Sequence, residues 1–242
     1  MPAKSPDSLL ENRLVAALPA PDRNALLDAA TEVTLERGDA VFHANDPIRH
    51  VYFPRTGILS MVIDMANGGT VEVGTIGSEG FAGLPILHAS ERSPMRVYCQ
   101  VPPCVCRKIP TKQFEEQLRR SPALLSLTHR YAQAHLNLAA QSIACNSLHP
   151  VEERLSRWLL MTQDRLQSDD LNMTQEILSE MLGVRRATVT TAAGALQKAG
   201  IIEYRRGKIR VLDRVALEES ACECYTVVRD EFQRLLGGNS GR

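Results

Sequence analysis

The stretch 171–213 reads LNMTQEILSEMLGVRRATVTTAAGALQKAGIIEYRRGKIRVLD. Thr174 begins a predicted helix, because its hydroxyl can accept a hydrogen bond from an unpaired amide of the first turn. Gly183 ends that helix, since glycine readily adopts the left-handed conformation of a C-terminal cap. A second helix is predicted over about 185–198. Two helices joined by a short glycine turn form a helix-turn-helix.

A predicted hairpin follows the second helix. Two short apolar segments, 201–204 and 209–212, flank the sequence Arg205-Arg206-Gly207-Lys208. This pattern indicates a two-stranded wing with a basic tip, which suits contact with phosphates. We therefore expect Arg205, Arg206 and Lys208 to hold the backbone of a nucleic acid.

The second helix opens on basic and hydroxyl side chains. Residues at the N-terminal end of a recognition helix face base edges in the major groove. Arginine can bond guanine through two acceptors, and threonine offers a hydroxyl or a methyl contact. The candidates for reading bases are Arg185, Arg186, Thr188 and Thr191.

The net charge by itself argues against a nucleic-acid partner. The 242 residues include 28 Lys plus Arg and 28 Asp plus Glu, so the formal charge is zero. The distribution is uneven, however: residues 151–183 carry a net −4 and residues 184–210 a net +6. The positive segment coincides with the predicted helix and wing, as phosphate contact requires.

Upstream, a region of short strands precedes a long helix. Turn residues, including the hairpin signal Asn67-Gly68, separate apolar segments from 33 to about 109 and predict an antiparallel sandwich or barrel. Residues 123–146 contain no glycine or proline and predict one helix. The residues expected to form a seam that pairs two subunits are Leu124, Leu127, Tyr131, Ala134 and Leu138. The alternative is a helix that packs on its own domain.

The stretch 171–213 closely resembles the winged helix-turn-helix of the Crp/Fnr transcription regulators, and the order of β-region, long helix and C-terminal domain is similar to that family. The resemblance implies an α+β protein in three parts. These are an N-terminal antiparallel, jelly-roll-like β-roll sensor (1–121), a dimerisation helix (122–146) and a winged helix-turn-helix domain (147–242). It implies a homodimer on a palindromic site in double-stranded DNA. RNA polymerase is a candidate further partner.

The resemblance also assigns individual positions. Thr174 and Gln175 match residues that touch phosphate in relatives, and Arg186 matches the first base-reading arginine. The family often carries a glutamate and, four residues on, an arginine, and these positions match Ala187 and Thr191. We therefore do not expect the common operator of the family.

The sensor region carries an imperfect nucleotide cassette. Family members that bind cyclic nucleotides use a glutamate for the ribose and an arginine for the phosphate. Here the segments 77–80 (GSEG) and 91–94 (ERSP) are similar, so the candidate ligand residues are Glu79, Arg92 and Ser93. Pro94 replaces an alanine and removes a backbone donor. The alternatives are a cyclic nucleotide, another nucleotide effector and a β-roll that has lost its ligand, and the last is favoured.

Cysteines and histidines suggest no metal site. Cys99, Cys104 and Cys106 are close in sequence but are interpreted as buried structural thiols, with a ligand trio as the alternative. Cys222 and Cys224 are expected on different faces of a terminal helix, where they would chelate poorly. A single redox thiol near the DNA-binding domain is a further alternative. The scattered histidines do not form the metal site of a cupin-type enzyme, so no enzymatic activity is predicted.

We thus predict a cytoplasmic transcription regulator, since the N-terminus lacks the apolar core of a signal peptide and no stretch approaches a membrane span. The alternative function is a ligand-binding β-roll module whose C-terminal domain contacts protein rather than DNA.

Overall fold

A computed structural model describes residues 11–237. Within that range the chain forms two compact units. Unit 1 comprises residues 11–61, 75–135 and 232–237, and unit 2 comprises residues 62–74 and 136–231. None of the helices in the described range is long and apolar enough to cross a membrane.

The predicted β-region consists of two sheets. The strands are β1 (Thr31–Leu35), β2 (Ala40–Phe42), β3 (His50–Pro54), β4 (Ile58–Asp64), β5 (Thr70–Ile76), β6 (Arg96–Val101) and β7 (Cys104–Pro110). One sheet has the order β1-β7-β3 and the other the order β2-β6-β4-β5. β7 pairs antiparallel with both of its neighbours. The antiparallel β-roll is therefore confirmed.

The β4–β5 hairpin forms at the predicted place but with another turn. Met65 donates its N–H to the Gly69 carbonyl over 2.7 Å, and Gly68 donates to the Met65 carbonyl over 2.9 Å. Of Asn67 and Gly68, only Gly68 has a positive φ, at 83°. A two-residue turn of type I′ needs positive φ at both central residues. The chain instead uses a longer loop in which one glycine supplies the left-handed residue.

Helices frame the β-roll and continue beyond it. In the first part of the described chain they are α1 (Arg13–Ala16), α2 (Ala20–Asp28), a 3₁₀ helix (Leu84–His88), α3 (Thr111–Arg120) and α4 (Pro122–Leu148). Ser121 caps α4, because its hydroxyl accepts the Leu124 N–H over 3.0 Å. The long helix is thus confirmed.

The face of α4 that was predicted to pair subunits points to the interior of the folded chain. Leu124, Leu127, Tyr131, Ala134 and Leu138 are all buried. The Tyr131 ring lies 5.4 Å from that of Phe81, and a Cβ on Gly80 would lie 2.2 Å from the Tyr131 hydroxyl. The rings of Phe81 and Tyr131 belong to an aromatic core with Phe53 and Phe114. Within the described chain these five residues are therefore already covered, as expected for the alternative of a helix that packs on its own chain.

The C-terminal part follows the predicted order. Its elements are α5 (Val151–Leu166), β8 (Asp170–Leu171), α6 (Gln175–Leu182), α7 (Arg186–Lys198), β9 (Ile202–Arg205), β10 (Lys208–Val211), α8 (Arg214–Glu219) and α9 (Cys224–Leu236). The three strands form a sheet of order β8-β10-β9. The winged helix-turn-helix is confirmed, with β8 as a third strand that the sequence pattern did not reveal.

Candidate nucleic-acid interface

The first helix of the pair, α6, is fixed at both ends. Thr174 accepts the Ile177 N–H through its hydroxyl over 3.3 Å, as the sequence predicts for an N-cap. Gly183 ends the helix with a φ of 63°. Arg154 of α5 donates to the Leu182 carbonyl, which satisfies a free carbonyl of the last turn. The turn that leads into α7 is therefore held from outside the helix pair.

Helix α7 separates its apolar and polar faces. Its inner side chains are buried: Val189, Ala192, Ala193 and Leu196. The four candidates for reading bases, Arg185, Arg186, Thr188 and Thr191, are all exposed. Arg185 is the N-cap of the helix rather than its first residue. The structure therefore gathers these four on one solvent-facing end of α7.

The threonines on this face differ in their free hydrogen-bonding groups. Thr191 donates its hydroxyl proton to the Ala187 carbonyl over 3.2 Å. Its methyl group and oxygen lone pairs therefore remain for another molecule. Thr188 makes no side-chain hydrogen bond within the described part of the chain, so its hydroxyl keeps both donor and acceptor capacity.

Arg186 has an acidic partner that the sequence did not reveal. Its guanidinium pairs with Glu176 in the first turn of α6, and both side chains are more than half exposed. Arg185 forms no ion pair with any residue between 11 and 237. The two arginines thus present one restrained and one unrestrained cation.

The wing places its tip beside the start of α6. β9 and β10 pair so that Lys208 faces Arg205, which leaves Arg206 and Gly207 as a two-residue turn with φ of 48° and 77°. Positive φ at both positions matches the strand twist of a hairpin. A Cβ on Gly207 would lie 3.2 Å from the Thr174 methyl carbon, so the tip approaches α6 closely.

An open cleft lies between the wing tip and α6. Its volume is about 460 Å³, and its lining includes Thr174, Gln175, Arg186 and Arg206. A helix N-terminus and a cation together favour an anion. The cleft therefore brings Thr174 and Gln175, the candidates for phosphate contact at the start of α6, next to Arg206, a candidate on the wing.

Two other wing arginines are paired within the chain. Arg205 pairs with Glu203 at 2.8 Å. Arg210 donates two hydrogen bonds to the Asp170 carboxylate, at 2.7 and 2.9 Å, and this contact lowers the pKa of Asp170. Arg210 thus joins β10 to β8, so part of the +6 charge of this segment is used inside the chain.

The three candidate ligand residues of the β-roll differ in exposure. Glu79 is buried, and its carboxylate accepts the Gly77 N–H over 3.2 Å. Arg92 is exposed and donates to the Asn45 carbonyl. Ser93 is buried, and its hydroxyl accepts the Met95 N–H over 3.1 Å. A cleft of about 350 Å³ in the same unit is lined by residues 40–43, 46, 47, 49 and 50, and includes none of these three.

The cysteines fall into two groups. Cys99, Cys104 and Cys106 are buried in the β-roll, where the Cys99 thiol lies 3.5 Å from the Leu35 carbonyl and burial raises the pKa of Cys106 to about 12. Cys222 and Cys224 were expected on different faces of a helix. This expectation is wrong, because α9 begins only at Cys224 and the preceding turn brings both sulfurs to Cys145 and His149.

Two family models match the chain. A model described as a Crp-like helix-turn-helix domain matches residues 153–220, and one described as a cyclic nucleotide-binding domain matches residues 32–121. The global nitrogen regulator of Synechocystis sp. is 25% identical over 222 residues, which cover 88% of this chain and 97% of that protein. The global nitrogen regulator of Nostoc sp. is 25% identical over 194 residues, which cover 76% of this chain and 86% of that protein.

Solved structures share the fold. A transcriptional regulator of the Crp/Fnr family from Eubacterium rectale has a TM-score of 0.66 at 18% identity and covers 86% of this chain and 98% of its own. The regulator CLP of Xanthomonas campestris, described as c-di-GMP responsive, has a TM-score of 0.67 at 16% identity and covers 81% of this chain and 100% of its own. Both likenesses extend over most of this chain and concern its fold.

Proposed function

The chain belongs to the Crp/Fnr family of DNA-binding transcription regulators, and we propose that its helix α7 reads bases in a major groove. The observation that carries this proposal is the exposed polar end of α7. Arg185 and Arg186 suit guanine, while Thr188 and Thr191 offer hydroxyl and methyl contacts. Ala187 and Thr191 stand where relatives often have glutamate and arginine, so the preferred site differs from the common one.

Phosphate contact is assigned to the cleft and the wing. Thr174 and Gln175 offer the amide groups at the start of α6, and Arg206 lines the same cleft. Arg205 and Lys208 flank the tip and are exposed. Because Arg205 is already paired with Glu203, Arg206 and Lys208 are the stronger contacts.

The protein acts as a homodimer that pairs through another face of α4. The buried seam leaves a second apolar row on this helix, at Leu125, Leu136 and Ile143, which are 39%, 62% and 70% exposed. Separations of eleven and seven residues keep side chains on one helix face, at the spacing of a pairing seam. Two recognition helices then enter successive major grooves about one helical turn apart on a palindromic site.

The β-roll does not hold a cyclic nucleotide as the family's cassette does. Arg92 is engaged with a backbone carbonyl, and Pro94 removes a donor from the segment. Calorimetric titration with cyclic AMP, cyclic GMP and c-di-GMP should give no heat of binding, and saturable binding of any of them would refute this assignment.

The protein works in the cytoplasm, where its DNA and RNA polymerase, a candidate partner, are found.

A salt titration of binding to random duplex DNA tests the proposed function. When a protein binds DNA through phosphates, the logarithm of the binding constant falls linearly with the logarithm of the salt concentration. The slope is about −0.9 for each neutralised phosphate. We expect a steep slope for the full chain. A flat slope, or no binding at low salt, would instead favour a C-terminal domain that contacts protein.

A further inference from the structure

Four metal-binding side chains meet in unit 2. They are Cys145, His149, Cys222 and Cys224, and one ligand atom from each lies within 4.8 Å of all the others. The Cys145 and Cys222 sulfurs are 3.5 Å apart, and the Cys224 sulfur is 3.6 Å from His149 Nδ1. We propose that these residues form a binding site for one Zn²⁺ ion.

The donor set and its dimensions suit zinc. Structural zinc sites are tetrahedral, and three cysteines with one histidine are a common ligand set. With Zn–S bonds of about 2.3 Å and Zn–N bonds of about 2.0 Å, neighbouring ligand atoms stand about 3.5–3.8 Å apart. The two measured separations therefore match edges of such a tetrahedron. The three cysteines are buried, as in a closed structural site.

The local backbone explains why the four side chains converge. His149 donates its N–H to the Cys145 carbonyl over 3.1 Å, which continues the helical pattern of α4. Residues four apart on a helix share one face. At the other segment, Tyr225 donates to the Cys222 carbonyl over 3.1 Å, so a turn precedes α9. That turn aims two sulfurs in the same direction, which a continuous helix would not.

Neighbouring groups orient the ligands. Glu223 lies 3.3 Å from His149 Nε2, so a proton on Nε2 leaves Nδ1 free to bind a metal. A carboxylate behind a ligating histidine is a recurrent feature of zinc sites. Gln141 donates to the Cys224 sulfur over 3.0 Å, a contact that a thiolate accepts more strongly than a thiol.

With zinc in place the ligand cluster carries only a small net charge. The three thiols release three protons to solvent, and the neutral imidazole adds no charge, so the zinc and its ligands carry a net −1. Arg157 lies close enough to act electrostatically on Cys145, and Arg154 acts on both Cys145 and Cys222. These cations offset the residual negative charge.

The zinc would tie the end of α4 to the start of α9. The intervening residues, 150–221, contain the whole winged helix-turn-helix. Closing so long a loop restricts the unfolded chain and thereby stabilises the folded one. Arg154 extends the effect, because it also holds the last turn of α6 through the Leu182 carbonyl. The site thus stabilises the winged helix-turn-helix without itself contacting DNA.

Metal analysis of the reduced full-length protein tests the proposal. After gel filtration in metal-free buffer, mass spectrometry should find about one zinc per chain, the stoichiometry of a four-ligand site. C224S and H149Q should each lose most of that zinc, whereas C106A, a buried cysteine of the other group, should retain it. Chelation of the wild-type metal should lower the melting temperature by several degrees, and added Zn²⁺ should restore it.

Cobalt provides a readout that does not depend on how the variants fold. Co²⁺ added to the metal-free wild-type chain should give the intense visible bands of a tetrahedral site and the charge-transfer band of bound thiolates, and one equivalent of Zn²⁺ should abolish both. Zinc retained equally by C224S, iron in place of zinc, or a Cys145–Cys222 disulfide in the protein as isolated under reducing conditions would each overturn the proposal. DNA binding enters none of these measurements, so they stand apart from the proposed function.

Discussion

Arg186, at the start of α7, pairs with Glu176, in the first turn of α6, across the turn that joins the two helices. Both side chains are more than half exposed, and exposed ion pairs contribute only about 0.2–1 kcal/mol. A two-bond arginine–guanine contact discriminates by about 1–3 kcal/mol. The base contact that we propose for Arg186 would therefore outweigh the ion pair, which positions Arg186 in the free protein.

Replacing Glu176 with glutamine should strengthen DNA binding. The change frees Arg186 and removes a negative charge from the interface, so we expect affinity to rise about two- to fivefold, the equivalent of roughly 0.4–1 kcal/mol for an exposed pair. Fluorescence anisotropy at fixed salt measures it. Weaker binding by E176Q would mean that the ion pair is needed to present Arg186 to the DNA.

Arg206 and Arg210 should differ in their effect on salt dependence. Arg206 lines the cleft, and R206Q should reduce the salt slope by about 1, the effect of one lost phosphate contact. Arg210 is held by Asp170, so the paired replacement D170N/R210Q should leave the slope almost unchanged. An equal change in the salt slope of both variants would contradict the assignment of phosphate contact to Arg206 and not to Arg210.

Gly207 should be intolerant of a side chain. Its φ of 77° costs a residue with a Cβ about 1–2 kcal/mol, and the added carbon would press on the Thr174 methyl group. G207A should therefore lower both thermal stability and DNA affinity. G194A is the control, since nothing lies near its Cβ position and alanine in a helix is about 1 kcal/mol better than glycine. A G207A protein as stable as the wild type would contradict the wing geometry.

The exposed apolar row proposed as the pairing face of α4 predicts which variants become monomeric. L136D and I143D place a charge on the exposed apolar row and should shift the protein from dimer to monomer in analytical ultracentrifugation. V215D, at a side chain that is 68% exposed on α8, should stay dimeric. Y131A should instead destabilise the fold, by about 3–5 kcal/mol as for other large buried rings. If L136D and I143D both dimerised as strongly as the wild type, the subunit contact would lie on another surface.

The Asp170–Arg210 pair predicts a pH effect on unfolding. Arg210 lowers the pKa of Asp170 in the folded protein, below the value of about 3.9 for an unfolded aspartate. The pair therefore stabilises the fold above that value, and the stabilisation is lost as the pH falls through the lowered pKa. The wild type should lose more stability than D170N as the pH falls below about 4. Parallel pH profiles of the unfolding free energy in urea would show that the pair contributes nothing.

The helix-turn-helix was predictable because its signals are local. The cap at Thr174, the glycine at 183 and the polar opening of α7 each act within a few residues, and the structure has helix bounds within one residue of those predicted. The same holds for the basic hairpin tip. The third wing strand was missed because it is two residues long, which is too short to show an alternation of apolar and polar residues.

Features set by distant contacts were not predictable. The apolar spacing along α4 indicates a buried face but not what covers it, and Tyr131 turns out to pack on Phe81 fifty residues earlier. Likewise, the sequence shows Cys145 and Cys222 seventy-seven residues apart, and only the path of the chain brings their sulfurs to 3.5 Å. The pairing of Arg186 with Glu176 has the same origin, since it depends on the angle between two helices.

DNA selection from a random pool, repeated with R186A, shows whether Arg186 on α7 reads bases. For the wild-type chain we predict a palindrome whose half-sites lie about one helical turn apart. R186A should select the same palindrome with preference relaxed at one position in each half-site, by about 1–3 kcal/mol per position. Selection of an identical sequence profile by both proteins, or of no palindrome by the wild type, would contradict the account.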